Sequence, residues 1–228
     1  MNEIKHIFFD LDHTLWDFEK NSALAFEKIF HELDFKIDSQ LFISTYNPIN
    51  MAYWKLYERN EIDQESLRVN RLKDAFEAIN FEVTLEQINS ISNLFIQYLT
   101  TNNHLIEGTI ETLEYLKDNY KLHIITNGFS FVQEVKLKKS NLDKYFITIT
   151  NSELAGQKKP HSTIFQHALN LANASKNQSI MIGDSIEADV LGAINFGIKA
   201  VYFNPMNEQV SDEAIIQIQK LTQLKNIL

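Results

Sequence analysis

Four short apolar segments limit the possible folds of this sequence most strongly, because each ends abruptly on polar or glycine residues. Such segments are typical of buried parallel strands, whose carboxyl ends meet at one edge of a sheet. We expect strands over residues 4–9, 122–125, 180–182 and 198–203, with a more polar fifth strand over 145–150.

The segments between these strands carry helical patterns. Residues 109–117 and 161–172 both place apolar side chains three and four positions apart. Alternating strands and helices form βαβ units, so we predict an α/β fold with a doubly wound, Rossmann-like parallel sheet. In such sheets ligands bind at the carboxyl ends of the strands.

One long segment breaks this alternation. Residues 16–104 have a helical pattern throughout and contain no glycine, whereas all six glycines of the chain lie at position 108 or later. We therefore predict an α-helical cap domain over 16–104, inserted into a catalytic core formed by 1–15 and 105–228.

Composition excludes several classes of function. A net charge of −9 argues against a nucleic-acid polymer as partner, because such binding needs a basic face. The chain has no cysteine, which excludes disulfides, thiolate catalysis and Cys-ligated zinc. It has no apolar run of membrane length and no basic segment followed by an apolar one at its start. We expect a cytoplasmic protein without a membrane partner; the oligomeric state stays open.

Two carboxylates, Asp10 and Asp12, follow the first strand and face the same side of extended chain. At about 4 Å and an effective dielectric near 20 they repel by roughly 4 kcal/mol. A divalent cation or a retained proton would relieve the repulsion. Together these suit phosphoryl transfer, with Asp10 as nucleophile and a protonated Asp12 as donor to the leaving oxygen. The alternative is that both residues only cap the following turn.

The second strand ends on groups that suit a phosphate. Thr126 offers a hydroxyl, and the N–H groups of Asn127 and Gly128 precede a predicted helix start at Ser130. Together they would form an anion cradle. The alternative is a simple helix N-cap.

Two later segments add a cation and two acids. Lys159 offers a point positive charge for phosphate oxygens, although Lys158 beside it leaves the choice open and a solvated lysine is the alternative. Asp184 suits Mg²⁺, and Asp189 would hold the metal shell or Lys159 in place.

Three further residues are candidates for substrate contact. Trp54, with Tyr53 and Tyr57 on one helix face, would stack on a base or else fill the helical core. Arg71 would meet a pyrimidine carbonyl or a ribose hydroxyl, or else lie at the surface. His13 would line the leaving-group pocket, or pack beneath the cap.

The residues at the strand ends resemble, in this order, the four motifs of the haloacid dehalogenase superfamily. The motifs correspond to Asp10-Leu-Asp12-His-Thr14, Thr126, Lys159-Pro160, and Gly183-Asp184 through Asp189. The resemblance implies that Asp10 is the nucleophile and Asp12 the acid/base. It implies that Thr126 and Lys159 bind phosphate, that Asp184 binds Mg²⁺, and that the main-chain carbonyl of Asp12 also ligates the metal. A helical cap of this kind would open and close over the site.

Within that superfamily, the segments FFDLDHTLWDF and IITNGF, the latter followed by Gln133, resemble the 5′-nucleotidases that act on pyrimidine nucleoside monophosphates, including noncanonical ones. The cap fits this branch at Asn50, Trp54, Tyr57, Leu67 and Arg71. Two positions depart from the pattern: His161 stands where Asp commonly follows Lys-Pro, and Asn60 replaces a usual Gly. The partner implied is a small phosphorylated metabolite, a nucleoside monophosphate.

Other functions of the same core stay open. True dehalogenases of the superfamily lack the second Asp of the first motif and need no Mg²⁺, so Asp12 favours a phosphatase. A sugar-phosphate phosphatase or a phosphomutase keeps that Asp. A phospho-accepting receiver module is disfavoured, because its accepting Asp follows the third strand and a helical cap has no role there. A binding protein without activity is disfavoured because no motif residue is missing.

Overall fold

A computed structural model describes residues 4–210, 212 and 214–228. The chain forms two compact units. One unit consists of the residues up to Asp17 together with those from His104 onward, and the other is Phe18–Asn103. Of the helices in the described part of the chain, none has the length and hydropathy needed to cross a membrane.

The unit Phe18–Asn103 is built from helices. The helices are α1 (Phe18–Glu32), α2 (Ser39–Glu58), α3 (Gln64–Ala78) and α4 (Leu85–Leu99). Aromatic rings form its core: Phe26 contacts Phe95, Tyr46 and Phe42 at centroid distances of 4.5, 4.8 and 4.9 Å. These rings bury large apolar areas and give the unit a hydrophobic core of its own.

The other unit contains a six-stranded parallel sheet with the strand order β3-β2-β1-β4-β5-β6. The strands are β1 (His6–Phe9), β2 (Lys121–Thr126), β3 (Phe146–Asn151), β4 (Ser179–Gly183), β5 (Lys199–Phe203) and β6 (Ile216–Ile218). This confirms the predicted α/β, doubly wound parallel sheet. The sequence prediction missed β6, a short strand at the edge with two exposed residues.

The register of the central strands sets the position of the site. Phe9 at the end of β1 pairs with Ile124 of β2 on one side and with Ile182 of β4 on the other. The residues that follow these strands therefore leave the sheet at one level. The chain adds β2 and β3 on one side of β1 and then places β4, β5 and β6 on the other side. The strand order therefore reverses between β1 and β4, which is where doubly wound sheets bind ligands.

Helices alternate with the strands along the chain of this unit. They are α5 (Thr109–Leu116), α6 (Ser130–Lys139), α7 (Ser152–Ala155), α8 (Ser162–Ala172) and α9 (Gly192–Phe196). A π-helical turn over Ile186–Leu191 leads into α9. Phe165 of α8 belongs to a buried apolar cluster with Phe8 of β1 and Met181 of β4, so this helix and the central strands share one core.

Candidate active site

Three carboxylates converge where the strand order reverses. Asp10 directly follows β1, Asp184 directly follows β4, and Asp189 lies in the π-helical turn. One carboxylate oxygen from each lies within 4.8 Å of the others. Asp10 and Asp189 are buried and Asp184 is half-buried, so three like charges share one small volume with little access to water.

Local backbone features bring Asp189 into this cluster. A Cβ atom at Gly183 would lie 2.1 Å from Oδ2 of Asp189, so only glycine leaves room for this carboxylate. The N–H of Ser185 donates to the same oxygen at 3.0 Å. Asp189 is thus fixed by the end of β4, as well as by its own turn.

Lys159 supplies the positive charge at the centre of the cluster. Its Nζ lies 2.5 Å from Oδ1 of Asp10 and 2.6 Å from Oδ1 of Asp189. It also donates to the main-chain carbonyl of Ile125 at 2.9 Å, and the residue is only 2% exposed. Burial alone would lower the pKa of Lys159, but the two carboxylates raise it well above its usual value. The sequence left Lys158 and Lys159 as alternatives; the structure places Lys159 beside Asp10.

One lysine does not balance the three carboxylates. Burial raises the pKa of Asp10 well above its usual value against the opposing charge of Lys159, and Asp189 and Asp184 raise it further. Burial and the charge of Asp189 raise the pKa of Asp184 to about 7, against an opposing hydrogen bond from Thr14. Thr14 Oγ1 donates to Asp184 Oδ1 at 2.8 Å and accepts from the Asp184 N–H at 3.1 Å. Burial first, and then the neighbouring carboxylates, therefore disfavour the ionised form of Asp10 and Asp184.

The cluster fits a small divalent cation. Mg²⁺ holds oxygen ligands at about 2.0–2.1 Å in an octahedron, so the ligand oxygens lie about 3–4 Å from one another. The three carboxylate oxygens lie within 4.8 Å of one another, an upper limit close to these separations. Carboxylate oxygens are also the ligand type that Mg²⁺ prefers. Asp10 and Asp184 are the residues best placed to hold it. Both oxygens of Asp189 accept a hydrogen bond, from Lys159 and from the Ser185 N–H. Among the described residues, Asp10 and Asp184 each accept on Oδ1 alone.

Asp12 lies outside the acidic cluster and is held by helix α6. Lys136 Nζ lies 2.5 Å from Asp12 Oδ1, and Gln133 Nε2 donates to Asp12 Oδ2 at 2.9 Å. From the sequence, a cation or a proton is expected to relieve the repulsion between Asp10 and Asp12. The structure adds a third solution, because each carboxylate pairs with its own buried lysine. The metal role of Asp12 through its main-chain carbonyl stays a prediction.

The residues at the end of β2 form hydrogen bonds within their own segment and with Gln133 and Lys159. Thr126 Oγ1 accepts from the Gly128 N–H at 3.1 Å and from Gln133 Nε2 at 2.7 Å. The Asn127 side chain accepts from the Lys159 N–H at 2.8 Å and donates to the Lys159 carbonyl at 3.0 Å. One of the two N–H groups expected in the anion cradle, that of Gly128, is therefore directed at Thr126 in this structure. Asn127 instead fixes the backbone of Lys159.

His13 lies in the tight turn between Asp12 and Thr14. Its φ is 62°, a left-handed conformation that is uncommon for a residue other than glycine. Its N–H donates to the carbonyl of Trp16 at 2.9 Å, and the residue is half-buried. Its contact with a leaving group stays a prediction.

The candidate residues of the helical unit lie among aromatic side chains. Half-buried Trp54 packs edge-on against Tyr57 at a centroid distance of 5.6 Å. Arg71 is not at the surface, as one alternative had it, but is 4% exposed. It donates to Asn50 Oδ1 at 2.6 Å, and its Nε has no hydrogen-bond partner among the described residues. Substrate contact by Trp54 and Arg71 stays a prediction.

Two residues of the site were not recognised from the sequence. Lys136 was not considered, and Gln133 was noted only for its resemblance to a family pattern. They are three positions apart on α6 and share one helix face. The sequence feature that could have identified them is this three-residue spacing of two polar side chains in the helix that directly follows Thr126-Asn127-Gly128.

Comparison with known proteins identifies relatives of the whole chain. The family model for haloacid dehalogenase-like hydrolases matches residues 7–203. Pyrimidine 5′-nucleotidase YjjG of Escherichia coli strain K12 is 31% identical over 199 residues, covering 87% of this chain and 85% of that protein. A glyceraldehyde 3-phosphate phosphatase of Pyrococcus furiosus is 30% identical, covering 100% of this chain and 94% of that protein.

A similar structure has also been solved. It is that of the HAD-hydrolase YfnB of Bacillus subtilis bound to magnesium, with a TM-score of 0.89 and 25% sequence identity. The comparison covers 100% of this chain and 99% of that one.

Proposed function

Because the chain belongs to the haloacid dehalogenase-like hydrolase family, we propose that it is a Mg²⁺-dependent phosphomonoesterase that hydrolyses pyrimidine nucleoside 5′-monophosphates. The observation that carries the proposal is the arrangement of Asp10. Its carboxylate lies beside Lys159, within a cluster that fits Mg²⁺, while a second carboxylate, Asp12, is held separately. A phosphatase needs this division of roles between a nucleophile and a proton donor.

In the first half-reaction the Asp10 carboxylate attacks phosphorus and forms an aspartyl-phosphate. The ester bond to the nucleoside oxygen breaks, and Asp12 donates a proton to that oxygen as it leaves. Lys159, whose Nζ lies 2.5 Å from Asp10, is placed to meet the phosphate oxygens that approach this carboxylate.

In the second half-reaction Asp12 takes a proton from a water molecule that attacks the same phosphorus. Inorganic phosphate leaves and Asp10 is restored as a carboxylate. Mg²⁺, when bound by Asp10 and Asp184, would neutralise charge between the carboxylates and the phosphate dianion. Thr126, fixed by Gly128 and Gln133, is the candidate hydroxyl for the transferred phosphoryl group.

The choice of a nucleotide substrate rests on two observations. The first is the identity with a relative named as a pyrimidine 5′-nucleotidase. The second is the buried guanidinium of Arg71 in the helical unit, which retains one donor, Nε, without a partner among the described residues. A carbonyl of a pyrimidine base is an acceptor that matches such a donor. The cytoplasmic location stays a prediction.

A sugar-phosphate phosphatase is the second candidate function. The match to a glyceraldehyde 3-phosphate phosphatase over the full chain supports it, and the core chemistry is the same. Only the part of the substrate beyond the phosphate distinguishes the two candidates.

Phosphate release from a panel of substrates separates these functions. The panel should contain dUMP, UMP, dTMP, a purine monophosphate, glyceraldehyde 3-phosphate and a hexose phosphate, each with Mg²⁺. We expect the highest kcat/KM for a pyrimidine nucleotide and no activity from Asp10→Asn. Equal or faster turnover of the sugar phosphates would replace the nucleotidase assignment with the second candidate.

A further inference from the structure

We propose that Lys136 is a positioning residue that, together with Gln133, fixes the Asp12 carboxyl group for proton transfer to the leaving oxygen. The inference deepens the proposed function and rests on it, since it takes Asp12 as the proton donor. The contacts that orient the Asp12 carboxyl group lie wholly within the sheet-containing unit.

Both oxygens of Asp12 are held from one helix. Lys136 Nζ contacts Oδ1 at 2.5 Å, and Gln133 Nε2 contacts Oδ2 at 2.9 Å. Gln133 and Lys136 lie on the same face of α6, one turn apart. Two donors in fixed positions determine the plane of a carboxylate, whereas one donor leaves it free to rotate.

The burial of Lys136 is hard to explain by stability alone. The residue is 2% exposed, and its Nζ lies 4.5 Å from the ring centroid of buried Trp16. Taking an ammonium group out of water costs several kcal/mol, and its pairing with a carboxylate often only offsets that cost. Apolar side chains in place of both members of such a pair are often no less stable. The need to orient Asp12 for proton transfer explains why the buried side chain at position 136 is a charged lysine.

Gln133 connects this pair to the second motif. The same Nε2 that donates to Asp12 also donates to Thr126 Oγ1 at 2.7 Å. Gly128 leaves space for the amide, because a Cβ atom there would lie 2.3 Å from Nε2. The proton donor and the candidate phosphate-binding hydroxyl are therefore held at a fixed separation through one side chain.

The dependence of kcat/KM on the leaving group tests the proposal. A nucleoside alkoxide leaves only with a proton, whereas 4-nitrophenolate leaves without one, so a misplaced Asp12 slows the nucleotide selectively. The value of kcat/KM reports steps up to formation of the aspartyl-phosphate, which separates this effect from the later attack of water.

We expect Lys136→Met to lower kcat/KM for the nucleotide by about 10- to 100-fold more than for 4-nitrophenyl phosphate, part of the full effect of a general acid. Asp12→Asn should show the same selective loss to a larger extent. Lys136→Arg, which keeps the charge, should lose less than Lys136→Met. Lys139→Met, an exposed lysine on the same helix, should behave like the unchanged protein.

Urea unfolding of each variant shows whether it is folded, and kcat/KM is compared only among variants that are folded. An equal loss for both substrates in Lys136→Met, or no loss, would overturn the positioning role while Asp12→Asn still showed the selective effect. If Asp12→Asn itself lost activity equally towards both substrates, the proton-donor role in the proposed function would fail, and the role of Lys136 with it.

Discussion

Asp10 and Asp12 show how single residues solve the problem of like charges two positions apart. Asp10 pairs with Lys159 from the loop before α8, and Asp12 pairs with Lys136 from α6. The two ammonium groups come from different elements of the chain, so each carboxylate has a separate partner. This separation gives one aspartate to the acidic cluster and leaves the other for proton transfer.

A second set of hydrogen-bonded polar side chains, formed by His6, His123 and Thr148, joins three strands of the sheet. His123 of β2 shares a hydrogen bond with His6 of β1, between ring nitrogens 3.0 Å apart, and another with Thr148 of β3 at 2.8 Å. His123 is 0% exposed. Burial, followed by the charges of His6 and Lys121, lowers the pKa of His123 to about 4. Burial also lowers the pKa of His6, with Lys121 and Lys5 adding to the effect.

This histidine should make stability depend on pH. The pKa of His123 is about 4 in the folded chain and about 6.5 in the unfolded one, so the unfolded chain binds the proton more readily between these values. The contribution is fully present above pH 6.5. The free energy of unfolding should fall as pH decreases from about 6.5 to about 4, by up to about 3 kcal/mol.

Urea unfolding at about pH 7.5 and about pH 5 measures the effect. Asp184 acts in the opposite direction, because its pKa is raised to about 7 and its protonation favours the folded chain. The comparison must therefore be between variants. His123→Gln should lose less stability than the unchanged protein between the two pH values, and exposed His31→Gln should lose the same amount. Equal losses in all three proteins would contradict the assignment.

The sequence indicates where a site residue lies when a strand end fixes its position, whereas the roles of these residues stay predictions. Asp10 and Asp184 each follow a buried strand directly, so parallel pairing brings them together wherever the rest of the chain goes. Lys136 could not be found in this way. It stands near Lys138 and Lys139, and which lysine of α6 is buried depends on the rotation of the helix against the sheet. That rotation is set by tertiary packing.

At the scale of elements, short-range signals decide where helices begin. Helix α4 starts with a capping box, in which the Thr84 N–H donates to Gln87 Oε1 at 2.8 Å and the Gln87 N–H donates to Thr84 Oγ1 at 3.1 Å. The two bonds satisfy donors that a helix start otherwise leaves unpaired. Phe95 and Ile91 of this helix then pack in the core of the helical unit.

Removing this cap should destabilise the helical unit. We expect Thr84→Ala to lower the free energy of unfolding by about 1 kcal/mol, measured by urea denaturation. Because the two bonds are reciprocal, Thr84→Ala and Gln87→Ala combined should cost less than the sum of the single changes. Gln97→Ala, at an exposed position of α4, serves as control and should change little. Strict additivity of the two changes would show that the box does not act as a unit.

Two elements could not be predicted from patterns in the sequence. Strand β6 has three residues, and it pairs with β5 through Val201 and Ile216, a contact that no local alternation indicates. The π-helical turn over Ile186–Leu191 is the other. Such turns arise from packing around a site, here the approach of Asp189 to Lys159, and not from the propensities of the residues within them.

At the scale of the whole molecule, the chain divides into a sheet-containing unit and a helical unit. The cap domain that the glycine distribution predicts over 16–104 stays a prediction. Catalytic chemistry and base recognition are assigned to different units in the proposed function. Arg71, buried in the helical unit, and Asp10, in the sheet-containing unit, can therefore be tested independently.

The most direct test of the whole account is the location of the phosphoryl group during turnover. The Asp12→Asn variant, in which attack of water is slowed, should be mixed with 4-nitrophenyl phosphate and Mg²⁺, quenched in acid and analysed by mass spectrometry of its peptides. We predict a phosphoryl group on Asp10 that is absent when the metal is chelated and absent when Asp10 is also changed to Asn. A phosphoryl group on a different residue, or an equal yield without free metal, would contradict the account.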